Sequence, residues 1–348
     1  MNQLLSKLVK LQFKESKNKY LLIIMVLVIL TMTVLMPSQF LSGSNIQSMA
    51  GQFPEFGFLA LAMMLAMITG GIDLSVVATA NFTGVVAALI LNKATTAGVA
   101  PTVSITGAII AVIAVSIVCG LANGSLIAFI GVPPILATLG TQGLFLGLAT
   151  VLTEGYSIGG FPLEFMTVGN GTIIGIPIPF ILFVVGAFVV ALLLNRTQQG
   201  FNMYMIGSNP TVSRYSGVNN SKVIMKTYVV TALLAGVASI IMISRANSMR
   251  PGYGSAYLLQ AILVVVLGGA DPDGGFGNIP GLLMAIVTLQ VTQSGLNIMA
   301  FSPFFRKFMW GFALLLVMAI NFIAQWYSDY KRVKKMRAQS ASAAEVVS

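Results

Sequence analysis

Runs of about 20 apolar residues recur along the whole chain, separated by short polar intervals, and each is long enough as a helix to cross a ~30 Å hydrocarbon core. Ten spans are predicted: 20–36, 55–70, 73–91, 103–123, 134–153, 173–195, 223–244, 255–269, 279–298 and 307–327. The fifth and eighth are the weakest, being interrupted or short. The predicted fold is therefore all-α, a polytopic transmembrane helical bundle. It divides into a basic N-terminal segment 1–19, a membrane domain 20–327 and a basic tail 328–348, short, rich in small residues and expected to be disordered. Tyr20–Met36 reads as a retained first span, too long for a signal-peptide core and followed by no small-residue cleavage site.

Two interruptions break this pattern. In LAMMLAMITGGIDLS, 61–75, an apolar run meets two glycines and a carboxylate before apolar sequence resumes. Gly70 and Gly71 suit a left-handed helix cap. Asp73 suits the N-cap of the following helix, with Ser75 as a second cap in the same turn. A direct solute or ion contact by Asp73 is the alternative, because a carboxylate deep in a bilayer costs several kcal/mol and signals function. The second interruption, LGGADPDGGFG at 267–277, has the same form: Gly268, Gly269 and Asp271 echo Gly70, Gly71 and Asp73. Paired breaks of this kind line central cavities in duplicated transporters.

The longest polar interval, NRTQQGFNMYMIGSNPTVSRYSGVNNSK at 195–222, carries its own helix signals. Pro210 fits the first turn of a short helix, Asn209 its N-cap and Gly217 its stop. A surface helix bearing Arg214 and Tyr215 is more than a tether requires, although a solvated loop would explain the charges equally well. Within the spans, Thr79, Asn81, Thr83, Asn123, Thr138, Thr141, Gln142, Gln260, Gln290, Thr292 and Gln293 supply neutral amides and hydroxyls. Singly, each reads as an interhelical hydrogen bond. Together they favour a neutral polar cargo over an ion.

Composition narrows the chemistry. The chain of 348 residues is 57% hydrophobic and 8% charged, against about 25% charged in soluble domains. Its net charge of +10 flanks the spans instead of forming a nucleic-acid patch. With both termini cytoplasmic, fourteen of the nineteen Lys and Arg fall on the cytoplasmic side, while Lys93, Arg245, Arg250, Arg306 and Lys307 fall on the other. Cys119 is alone, so there is no disulfide framework, and the absence of histidine removes imidazole metal sites and triads. The glycine-rich 267–277 run is no Walker A loop, since no lysine lies between Lys226 and Lys307. No catalytic constellation and no metal site is predicted.

Four blocks, TGGIDLS (69–75), ANGSLIAFIGVPPILATLGT (122–141), NRTQQGFNMYMIGSNPTVSRYSGV (195–218) and LGGADPDGGFG (267–277), resemble in order and spacing the membrane permeases of bacterial ABC importers for ribose and other simple sugars. The resemblance implies a multi-pass protein of the bacterial inner membrane, paired as a homodimer or heterodimer in lipid. It implies cytoplasmic ATPase subunits holding ATP and Mg, with no cofactor on this chain, and an extracytoplasmic sugar-binding protein. Gly207–Gly217 looks like the coupling helix that docks on the ATPase, through Gly207, Asn209, Pro210, Arg214, Tyr215 and Gly217. The breaks would flank the translocation path, with Asn81, Asn123 and Gln142 as candidate cargo contacts. Val76-Val77 replaces a common Val-Gly pair, and Asn81 stands where many relatives carry an apolar or small residue. Ribose, galactose, rhamnose-like sugars and a sugar-like signalling molecule all remain open as cargo. The alternative is an ion-coupled secondary transporter for a small polar solute, which would need a titratable group such as Asp73 or Asp271 to change environment during the cycle.

Overall fold

A computed structural model describes residues 2–319 and Ile323, with side chains from Asn18 onward. The basic tail 328–348 and the end of the predicted tenth span lie outside these residues. The helices are α1 Asn2–Leu35, α2 Pro37–Phe40, α3 Gly43–Ile68, α4 Val76–Thr96, α5 Pro101–Ala128, α6 Pro134–Thr153, α7 Leu163–Asn170, α8 Ile178–Arg196, α9 Gln198–Ser208, α10 Pro210–Tyr215, α11 Asn220–Ala246, α12 Tyr257–Leu267 and α13 Ile279–Ile298. A further helix, α14, is described over 303–319. Four two-residue strands form two small antiparallel pairs, Ile158–Gly159 with Ser248–Met249 and Thr172–Ile173 with Ile176–Pro177.

Each predicted span, as far as it is described, falls largely on a helix, and among the described residues eight helical stretches are long and apolar enough to cross a membrane. The predicted eighth span is the exception in length. At 11 residues, α12 extends only about 16 Å, so it ends inside the bundle. The sixth span starts at Ile178 instead of 173, because Ile174 and Gly175, both at positive φ, turn a hairpin there. Many starts follow local chemistry: Pro101, Pro134, Pro179, Pro210 and Pro280 each stand in a helix's first turn, where a missing N–H costs nothing.

The packing is that of a membrane bundle, with small residues at the helix contacts. On α5, Gly120 and Gly124 lie against α11 so closely that an added methyl would meet Val229 Cα or Met225 Sδ at 2.6 Å. Between α3 and α8 the fit is reciprocal: the Phe183 ring covers Gly57, and the Phe58 ring covers Gly186. Helix α3 is buried from Phe53 to Ile68 and forms the axis of the core with α11, α12 and α13. By contrast α5, α6 and α8 turn Ile110, Val118, Leu139, Leu144, Phe188 and Val189 outward, as helices facing lipid do.

The long helices run up and down, which sorts the loops into two ends. At one end lie Asn18, the 69–75 and 268–278 breaks, the α5–α6 turn and the α9–α10 segment; Asn18 reaches Asn278, and the Ser221 hydroxyl donates to the Ala128 carbonyl. At the opposite end, Asn92 donates to the Gly159 carbonyl and Asn170 to that of Ser244. Arg214, Lys222 and Lys226 therefore share one end, and Lys93, Arg245 and Arg250 the other.

Candidate functional site

Both breaks are built the same way, and the sequence explains how. Helix α3 closes in a Schellman motif: Gly70, at φ +81°, donates to the Met67 carbonyl, and Gly71 to that of Ala66. Helix α12 closes identically, with Gly269 at φ +87° donating to Val266 and Ala270 to Val265. An Asx-turn follows each. Asp73 Oδ1 accepts the Ser75 N–H at 3.0 Å, and Asp271 Oδ1 accepts the Asp273 N–H at 3.1 Å. The predicted echo is real but one residue out of register. The left-handed position is Gly70 in the first break and Gly269 in the second, so Gly71 and Gly268 do other work. Gly71 admits the Tyr228 hydroxyl and Pro134, and Gly268 admits the α13 backbone at Leu282.

The breaks also touch each other. The Gly275 N–H donates to the carbonyl of Ile68, the last helical residue of α3, at 3.0 Å. Wedged into that contact is Gly207, near the end of α9: a methyl there would collide with the Ile68 carbonyl and the Gly275 nitrogen. Gly274 in turn lies against Gly70 and Gly207. The Tyr204 hydroxyl, one turn back on α9, donates to the Gly277 carbonyl at 2.7 Å. With the Gly274 and Gly275 amides engaged by the Asp271 and Ile68 carbonyls, this glycine loop offers no cradle to a phosphate.

Three residues beyond Gly207 the polypeptide enters α10. Asn209 Oδ1 accepts from the Thr211 and Val212 amides at 3.0 Å each, Pro210 opens the helix and Gly217, at φ +82°, closes it. The underside is anchored, since the Ser213 hydroxyl donates to Asn220 Oδ1 and Asn220 donates to the Pro210 carbonyl. The open side presents Val212, Arg214 and Tyr215, the last 88% exposed. The polar stretch before α10 is itself helical: in α9, Gln198, Gln199 and Asn202 mask a one-sided apolar pattern, with Met203 and Ile206 buried.

Asp73 is 2% exposed and fully engaged. Its Oδ1 also accepts the Ser75 hydroxyl at 2.6 Å, and its Oδ2 accepts that of Thr231 at 3.3 Å. Ser75 accepts from the Asn123 amide at 2.7 Å, and Asn123 accepts from the Thr141 hydroxyl at 2.6 Å. This directed chain ties α4, α5, α6 and α11 to the first break. Asp73 thus holds the turn before α4 and does not cap α4 itself. Ser75 occupies the cap position, but its hydroxyl is committed to Asp73. Asn123 is a strut in this network. Asn81 is another, bonding the Arg250 and Tyr253 carbonyls and the Gly252 amide. Gln142, on α6, is half-buried and joins neither group.

One charged cluster escaped the sequence reading. Glu55 lies in the middle of α3, 1% exposed, and pairs with Arg245 in the last turn of α11. The Tyr257 hydroxyl donates to Glu55 Oε2 at 2.5 Å. A cavity of about 220 Å³ opens beside them, with Gln290 and Gln293 on its wall. The signal was an acid in QFPEFGF, hidden because Glu55 stands at the predicted start of a span.

Comparison with known proteins turns this geometry into an identity. A family model described as "Branched-chain amino acid transport system / permease component" matches residues 45–318. The chain belongs to this permease family. The match takes in both breaks, the α9–α10 segment and the Glu55 cluster. Among similar proteins, the autoinducer 2 import system permease protein LsrD of Yersinia enterocolitica is 34% identical over 247 residues, 69% of this chain and 72% of that one. The protein of the same name from Yersinia pseudotuberculosis is 32% identical over 294 residues, 82% of this chain and 86% of that one. No solved structure matches. The family permease described here is a multi-pass membrane protein and a transport subunit.

Proposed function

We propose that the chain is the membrane permease of an ATP-binding cassette importer for a small sugar-like solute, of the class to which the autoinducer 2 of its relatives' names belongs. Cytoplasmic ATPase subunits carry ATP and Mg, an extracytoplasmic binding protein delivers the solute, and the chain pairs with a second copy or a related permease. Both termini then lie in the cytoplasm, with α10 on the same side.

The observation that carries this reading is the glycine contact. An exposed, doubly capped helix is joined through Gly207 to the end of α3 and to the glycine loop that follows α12. Force applied to α10 reaches the two breaks through backbone alone, with no flexible side chain between. Such a linkage suits ATP-driven closure that reopens helices around a path, and it supports reading Arg214 and Tyr215 as the ATPase contact.

The test is a gentle detergent pull-down of the tagged chain from its native membrane. A Walker-containing ATPase is expected to co-purify, and to be lost on Arg214→Ala with Tyr215→Ala while the permease keeps its expression and fold. Retention of the ATPase by that double variant would move the docking site elsewhere.

A further inference from the structure

The cavity beside Glu55 gathers unpaired polar atoms on one wall. Many buried hydroxyls and amides bond to nearby backbone or to one another, as Thr83, Thr138, Asn81 and Asn123 do. Among the described residues Ser116 Oγ, the Tyr228 hydroxyl and Gln260 Oε1 stand unpaired away from this cavity, whereas two carboxamides that line it are unpaired together. Gln290 is 3% exposed, yet among the described residues neither its amide nitrogen nor its oxygen finds a partner, and Gln293 Oε1 finds none either. Buried polar groups left unpaired cost stability, so a site that keeps two of them has something else to bond.

We infer that this cavity is a binding site for a small, neutral, polyhydroxylated solute. At about 220 Å³ it is smaller than the ~300–1,000 Å³ pockets that hold drug-sized ligands. Its two charges cancel: Arg245 disfavours a cation and Glu55 disfavours an anion, while both retain hydrogen-bonding capacity for hydroxyls. Carboxamides donate and accept at once, which matches hydroxyl groups that do the same. The Phe56 and Tyr257 rings, with centroids 6.3 Å apart, supply an apolar wall for the carbon face of the solute. The site lies on α3 thirteen residues before Ile68, about 20 Å along the helix from the glycine contact. It is thus placed towards the end opposite α10, on the side from which an imported solute arrives.

This inference rests on the reading of the chain as a sugar-like solute's permease, and the experiment separates the two. The complete importer is reconstituted in liposomes with its binding protein, and uptake of labelled ribose, galactose and autoinducer 2 is measured singly. Gln290→Leu and Gln293→Leu are each expected to lower uptake at limiting solute at least tenfold. Gln290→Asn, which keeps the amide, restores part of it. Because leucine removes unpaired buried atoms, the melting temperature of the Gln290→Leu chain should hold or rise, so lost uptake is not lost fold. Should that variant melt lower, the partly buried Gln293→Leu carries the prediction alone. Uptake by the wild type with both leucine variants within twofold of it would leave the function standing and overturn the site. Failure of the wild type to take up any of the three would overturn the functional reading and the site with it.

Discussion

Asp73 poses the problem of this protein in miniature, an acid in a nearly acid-free stretch. Its environment consists of donors: the Ser75 amide and hydroxyl on one oxygen, and the Thr231 hydroxyl on the other. A carboxylate is the one short side chain that accepts all three without offering a proton. Replacing it with alanine strands the buried Ser75 donors and unties Asn123 and Thr141 behind them, while the Thr231 hydroxyl keeps the Tyr228 carbonyl at 2.9 Å. Asp73→Ala should lose about 2 kcal/mol of stability, read as a lower denaturation midpoint in detergent. Asp73→Asn keeps one acceptor for Ser75 and should recover more than half of that. Equal loss in both variants would mean that the charge matters beyond its hydrogen bonds. At this scale the sequence showed that Asp73 belongs to a turn, but not its partners. Thr231 is 158 positions away, and no local pattern announces such a contact. Glu55 was harder still, since its meaning depends on Arg245 and Tyr257, both about two hundred residues distant.

At the level of elements, local chemistry spoke clearly where a helix begins or ends by its own means. Asn209, Pro210 and Gly217 each do what their residue types dictate, and α10 forms where they place it. The two Schellman caps were legible as paired glycines, although which glycine takes the left-handed position was not. Helix α9 stayed hidden because its buried face is narrow, and the short reach of α12 shows only against its neighbours. Gly207 has no local signature, being neither in a turn nor at positive φ; its importance comes from the backbones pressed against it. Gly207→Ala should therefore damage transport far more than its mild helix preference would suggest. The added methyl must displace either the Ile68 carbonyl or the Gly275 amide, costing on the order of 1–3 kcal/mol for overpacking. The expected outcome is a chain that still binds its ATPase partner but transports at under a tenth of the normal rate. Normal transport by Gly207→Ala, measured at equal membrane abundance, would show that the contact carries no motion.

For the molecule as a whole, the account is one of a bundle whose two ends differ in kind. One end gathers both helix breaks and the exposed α10 around a glycine contact. The other carries the small strand pairs and leads to the polar cavity between α3, α11, α12 and α13. The membrane class and the alternation of spans were plain from apolar run lengths, because lipid imposes a single requirement on every helix. The convergence of residues 70, 207 and 274 was not, since it is set by how the helices pack. The most direct test is uptake by right-side-out membrane vesicles carrying the importer with its binding protein, loaded either with ATP or with an ion gradient alone. The account predicts accumulation of the sugar-like solute with ATP, none with the gradient, and its loss in the Arg214→Ala, Tyr215→Ala double variant. Accumulation driven by the gradient in ATP-free vesicles, undiminished in that variant, would contradict it.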